Sequence, residues 1–175
     1  MGNKAIYNIN AINVDDLNAS SSTMKYPVGS EVVIKDSSSA MPQTYIYVKA
    51  HAALSLGQPI TIQEGSGGDA EIVTVAVAAF SDGQGLLIGF PLAAITSGDY
   101  FFAQISGVIT AAAGTVAAGD HVKVLDAGTT VVVDGSTGST TRSAKTIGIA
   151  KTATSGGTAS IVVMPNRRVH VESPA

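Results

Sequence analysis

Glycine-punctuated strand segments limit what this chain can fold into. Between Leu86 and Thr141 one unit occurs twice. The first copy is Gly98-Asp99-Tyr100-Phe101-Phe102-Ala103-Gln104-Ile105-Ser106-Gly107-Val108-Ile109. The second is Gly119-Asp120-His121-Val122-Lys123-Val124-Leu125-Asp126-Ala127-Gly128, continued by Thr129-Thr130-Val131-Val132-Val133. In both, Gly-Asp opens a run of aromatic and β-branched residues, and another Gly follows nine residues after the first. Gly accepts positive φ and Asp bonds its own backbone, so the pair suits a tight turn. The runs between have the composition of a pleated sheet. The spacing predicts two successive β-hairpins or hairpin-like strand pairs, joined by Ala111–Ala118, a stretch too small-sided to be a strong structural element.

The rest of the chain reads the same way. Strands are expected at Glu31–Lys35, Thr44–Lys49, Pro59–Gln63, Ala70–Phe80, Leu86–Phe90, Thr146–Lys151 and Ala159–Met164, with turns or loops at 26–30, 36–42, 64–69, 81–85, 134–143 and 155–157. Pro91–Ile95 reads as a single helical turn with Pro at its first position. Turn signals every 8–12 residues with almost no helix are the pattern of an all-β sandwich or compact antiparallel barrel of short strands. Residues 1–24 are polar with scattered apolar side chains and read as an extended N-terminal arm, or else as an edge strand of the chain's own barrel. Residues 25–165 form the barrel-like domain, and 166–175 a short tail.

Charge narrows the function. Charged residues are 13% of the 175, about half the ordinary ~25%, and Ser and Thr supply much of the polarity. A free monomer keeps apart from its neighbours by scattered charge, so part of this surface is expected to be covered by other chains. The net charge of −3 argues against a nucleic-acid partner, which needs a dense basic face. There is no Cys, so disulfides and thiolate metal sites are excluded. The first residues lack the apolar core of a signal peptide, and no apolar run approaches the ~20 residues of a membrane helix. Synthesis in a cytoplasm and no membrane partner are expected.

Chemistry-bearing residues are sparse. His51, His121 and His170 do not stand at metal-ligand spacing. Asp99 and Asp120 open the two repeated units and could form a carboxylate pair for acid–base work, but turn formation accounts for both. No Gly-x-Ser-x-Gly elbow or phosphate loop is present. Tyr100, Phe101 and Phe102 are consecutive, so alternation sends Phe101 to one sheet face and its neighbours to the other. These residues point to no enzyme, no cofactor and no metal.

Three stretches carry a resemblance. They are Tyr26-Pro27-Val28-Gly29-Ser30 leading through a Ser-rich loop to Thr44-Tyr45-Ile46-Tyr47-Val48-Lys49-Ala50; Phe90 to Ile109; and Gly119-Asp120-His121-Val122-Lys123-Val124 with the closing Gly148-Ile149-Ala150-Lys151 and Ala159-Ser160-Ile161-Val162-Val163. Over residues 25–165 the chain resembles the head decoration, or cement, proteins of tailed bacteriophages. The resemblance implies a β-barrel-like domain on the outer capsid surface, a major capsid protein as partner, a homo-oligomer with a trimer favoured, and no catalytic residues. On this reading Ile6, Tyr7, Ile9 and Ile12 of the arm, and Arg167 and Arg168 of the tail, are candidate capsid contacts. Rival readings are a receptor- or glycan-binding fibre tip, a hydrolase on a barrel and a joining protein of the same particle.

Overall fold

A computed structural model describes residues 12–35, 41–64, 72–76, 87–124, 129–135 and 146–163. Its strands are β1 Ser20–Ser21, β2 Glu31–Ile34, β3 Gln43–Ala50, β4 Ile60–Glu64, β5 Ile72–Ala76, β6 Leu87–Pro91, β7 Tyr100–Val116, β8 His121–Val124, β9 Val131–Val133, β10 Gly148–Ala150 and β11 Thr154–Val163. A 3-10 helix at Val14–Asn18 precedes them. The fold is all-β, as the turn spacing predicts.

The pairings close two rings that share β7. In the first, β3, β4, β5, β6 and the front of β7 follow one another: β3 lies parallel to β5, and the pairs β5–β4, β4–β6, β6–β7 and β7–β3 are antiparallel. In the second, the back of β7 lies parallel to β9, and β9–β8, β8–β10, β10–β11 and β11–β7 are antiparallel. The two connection patterns are identical, and so is their register. Gly89 stands opposite Ile60 and Gly148 opposite Val122. The amide of Gly57 donates to Pro91 O at 2.9 Å, and that of Gly119 to Ala150 O at 2.8 Å. Ala150 N–H returns a bond to Asp120 O at 2.9 Å, which Pro91, lacking an N–H, cannot do. The chain is a duplicated five-strand barrel, with β7 ending one copy and beginning the other.

Closure leaves each strand an inner and an outer face. Inside the first ring lie Ile46, Val48, Ala50, Ile60, Ile62, Phe101, Ala103 and Ile105. A second core gathers Ile109, Ala111, Ala113, Val122, Val124, Val131, Ala159 and Ile161, together with Ile88 and Phe90 of β6. Alternation along β6 therefore serves both cores. Leu87 faces the first, and Ile88 and Phe90 face the second. A third cluster, Leu17, Val32, Tyr45, Tyr47 and Phe102, lies on the outside of the first ring.

Several expectations are corrected. The first repeated unit is no hairpin, because Tyr100–Val116 is one 17-residue strand. Gly107 (φ +93°) sits beside the register irregularity at Thr44/Tyr45, where the strand changes ladders without turning back. The stretch Ala111–Ala118 is not a weak linker. Its alanines Ala111 and Ala113 are buried, and Ala111–Val116 pairs along β11, where short side chains let strands pack closely. Pro91–Ile95 is not helical: Pro91 ends β6, and Ile95 bridges Leu54. Ser155-Gly156-Gly157 lies inside β11, where Gly takes φ of +117° and +120°. The second unit does give an antiparallel pair, β8–β9. Of the expected loops at 36–42, 64–69, 81–85 and 134–143, residues 36–40, 65–69, 81–85 and 136–143 lie outside the described residues.

Candidate interaction surface

The third cluster is roofed by the chain's own N-terminal segment. Asn13 caps the 3-10 helix, its side chain accepting from Asp15 N–H at 3.1 Å. Leu17 turns inward and is buried, and Ile12 packs half-buried on the same cluster. Ser20 and Ser21 then pair with Phe101 and Tyr100 at the edge of β7, and Ser20 Oγ donates to Asp99 Oδ2 at 2.8 Å.

A polar clasp closes over this roof. Asp16 accepts from Lys25 Nζ at 2.7 Å and from Tyr26 Oη at 2.6 Å. Tyr26 Oη accepts from Asn13 N–H at 3.2 Å, and Tyr47 Oη from Lys25 N–H at 3.1 Å. The bonds from Lys25 and Tyr26 hold the Asp16 carboxyl below its ordinary 3.8, and the same contacts push Lys25 and Tyr26 upward. Tyr47 is pushed up chiefly by burial. Beneath lie Tyr26, Tyr47 and Phe102, with centroids 4.8–5.5 Å apart and tilted or edge-on rings, the arrangement ring quadrupoles favour. Tyr47 and Tyr100 stack at 6.1 Å, and Lys49 Nζ stands 5.3 Å from the Tyr100 centroid.

Val14 and Met24, in the segment that carries the clasp, are 61% and 53% exposed, and Val33 on β2 is 59% exposed. β2 pairs only with β3 among the described strands, so no described residue covers its outer edge.

Of the residues expected to touch a capsid, Ile12 rests against the chain's own aromatic cluster. Ile6, Tyr7, Ile9, Arg167 and Arg168 lie outside the described residues. Asp99 and Asp120 are not brought together as a pair. Asp99 opens the last strand of the first ring and anchors Ser20. Asp120 opens the second strand of the other ring and is buried, with Oδ2 accepting Ala117 N–H at 2.7 Å. His51 is exposed, and His121 holds a buried Nδ1 without a hydrogen bond. Nearby on the sheet, buried Asp134 is met by Lys123 Nζ at 3.3 Å and by the Thr146 hydroxyl. No cluster of three or more His, Asp or Glu suited to a metal occurs among the described residues. Sequence reasoning missed the clasp, since Asp16, Lys25, Tyr26 and Tyr47 share no spacing that advertises it. The sequence marks Glu31–Lys35 as a strand, but nothing in it marks that strand as the edge of the sheet.

No family model matches the chain, and no curated protein matches it. Among solved structures, the chain is similar in fold to the head fiber gp8.5 N base in bacteriophage phi29, with 14% identity and a TM-score of 0.50, covering 71% of this chain and 94% of that one. At that identity the likeness concerns architecture alone.

Proposed function

We propose that this chain is a non-enzymatic structural protein of a tailed-phage virion that binds the outside of the capsid and reinforces it. The observation that carries the proposal is the fold shared with a phage head fiber base over 94% of that domain, joined to the resemblance to cement proteins over residues 25–165. A surface with so little charge agrees with a life spent against neighbouring subunits. The partner is the major capsid protein, with neither nucleic acid nor membrane involved, and the protein acts as a homo-oligomer, a trimer being favoured. It is made in the host cytoplasm and resides on the head. Its action is mechanical. Many copies, each adding modest contact across subunit seams, sum through multivalency to resist internal pressure.

The solved neighbour itself favours a second reading, in which the chain is the base of a fibre or spike carrying a receptor- or glycan-binding tip. Decoration distributes copies over the whole shell, whereas a fibre base occupies selected positions.

Arm contact belongs to residues 1–11. Removing all of 1–24 would also strip Leu17 and the clasp from Tyr47 and Phe102, so poor binding by that truncation would be ambiguous. The test is cosedimentation of purified protein with capsids lacking it. Saturable binding that raises the capsid's rupture temperature, and weakens on removal of residues 1–11 with the melting temperature unchanged, is the expected result. Absence of binding at micromolar protein would overturn the capsid assignment. Full binding by the truncation would overturn the arm assignment alone.

A further inference from the structure

The open edge of β2 carries an inference that stands whatever the virion role proves to be. Tyr47 N–H donates to Ser30 O at 2.9 Å, so the backbone groups of Ser30 and, by antiparallel alternation, Val32 and Ile34 face β3. Those of Glu31 and Val33 therefore point out along the edge that no described strand pairs, and Lys35 follows directly on the strand's end. Their side chains share the exposed face: Glu31 and Lys35 are exposed, and Val33 is 59% exposed. Among the described residues neither charge has an ion-pair partner within the chain.

Natural edge strands are blunted by short length, edge charges, prolines, bulges or inward-pointing charge. This one is short and charged but has no proline, bulge or inward charge over Glu31–Ile34, and its charges are of opposite sign, arranged to attract a second copy rather than repel it. Laid antiparallel on itself about Val33, the segment Glu31-Val32-Val33-Ile34-Lys35 sets Glu31 opposite Lys35 at both ends and Val33 against Val33 at the centre. A parallel pairing would instead put like charges side by side, which is destabilising. The duplicated fold gives a precedent. In the second ring the place of β2 beside β3 is taken by β6 beside β7, and the outer edge of β6 is covered antiparallel by β4. We propose that β2 is a self-complementary docking edge at which two copies of this chain join in an antiparallel two-fold contact centred on Val33, continuing the sheet across the axis. Such a contact is isologous and separate from any three-fold contact, so it would join two chains or two trimers.

The absence of cysteine makes a direct test possible in the full-length protein. Directly opposite residues of a hydrogen-bonded pair have Cα atoms about 5.5 Å apart, within reach of a disulfide. Val33→Cys should therefore cross-link to a covalent dimer on mild oxidation at least tenfold faster than Leu56→Cys, at a comparably exposed turn. Lys35→Glu added to Val33→Cys should abolish that advantage by placing Glu against Glu. Glu31→Lys with Lys35→Glu should restore it, since the reversed charges still alternate. In light scattering the wild-type particle mass should halve with Lys35→Glu and recover in the double swap. Equal cross-linking at Val33 and Leu56 would overturn the proposal, whether the edge is open in solution, covered by residues 1–11 or kept for a capsid subunit. So would failure of the double swap to rescue.

Discussion

Gly148 stands in β10 with no room for a side chain. A Cβ there would meet Val162 O at 2.3 Å and Val162 C at 3.1 Å, both backbone atoms that cannot move aside. Gly98, at the turn before β7, has nothing within 4 Å of its Cβ position but adopts φ +87°. The two glycines are thus required for different reasons, and alanine should separate them. Gly148→Ala is expected to cost about 3 kcal/mol by forcing β10 and β11 apart, and Gly98→Ala about 1 kcal/mol of left-handed strain. Urea denaturation of both variants checks the ranking. Asp16 supplies a pH prediction. Its folded carboxyl titrates below 3.8 because Lys25 and Tyr26 donate to it. Its contribution is therefore present above the unfolded value and is lost as pH falls through the lower folded one. Asp16→Asn should be less stable than wild type at pH 7 by less than about 1 kcal/mol, as befits a pair whose lysine is exposed. The gap should close as pH drops from about 5 towards 2. A constant gap in thermal melts across that range would contradict the clasp.

At the scale of elements, β6 serves two cores through its opposite faces, and Phe90 is its deepest residue at 0% exposed. Phe90→Ala should destabilise by about 3–5 kcal/mol and lower protection from hydrogen exchange in β8 and β11 as well as in β4. Loss confined to one ring would contradict the shared packing. Strand existence was legible in the sequence, because Thr44–Lys49 and Tyr100–Phe102 are strong β formers wherever they are placed. That Phe101 and Phe102 take opposite faces also followed from alternation, but which of them enters the barrel did not. The course of β7 was not legible. Gly107 can close a hairpin or absorb a bulge with equal ease, and only pairing with β3 on one side and β11 on the other decides between them. The duplication was also masked. Sequence similarity links Gly98 with Gly119, whereas topology matches Gly119 with Gly57, in Ser55-Leu56-Gly57-Gln58 and Ala117-Ala118-Gly119-Asp120. All three precede strands and obey the same turn chemistry, so local sequence cannot rank them. The clasp depends on contacts from residues 13–26 to residue 47, beyond any local pattern.

For the whole molecule, a strand that runs unbroken through both rings, with β6 packed on both cores, couples the unfolding of one barrel to that of the other. Calorimetry should show one transition, with calorimetric and van't Hoff enthalpies equal. Two resolved transitions would contradict that coupling. The same rigidity suits a protein that bridges subunits, since little order is left to be gained by its core on binding. The claim that this rigid pair of barrels decorates a phage head is tested most directly by cryo-electron microscopy of heads assembled with and without the protein. The account predicts two-barrel density repeated over the outer shell and missing from the deficient heads. Identical shells in the two preparations, or density confined to a few fibre positions, would contradict it.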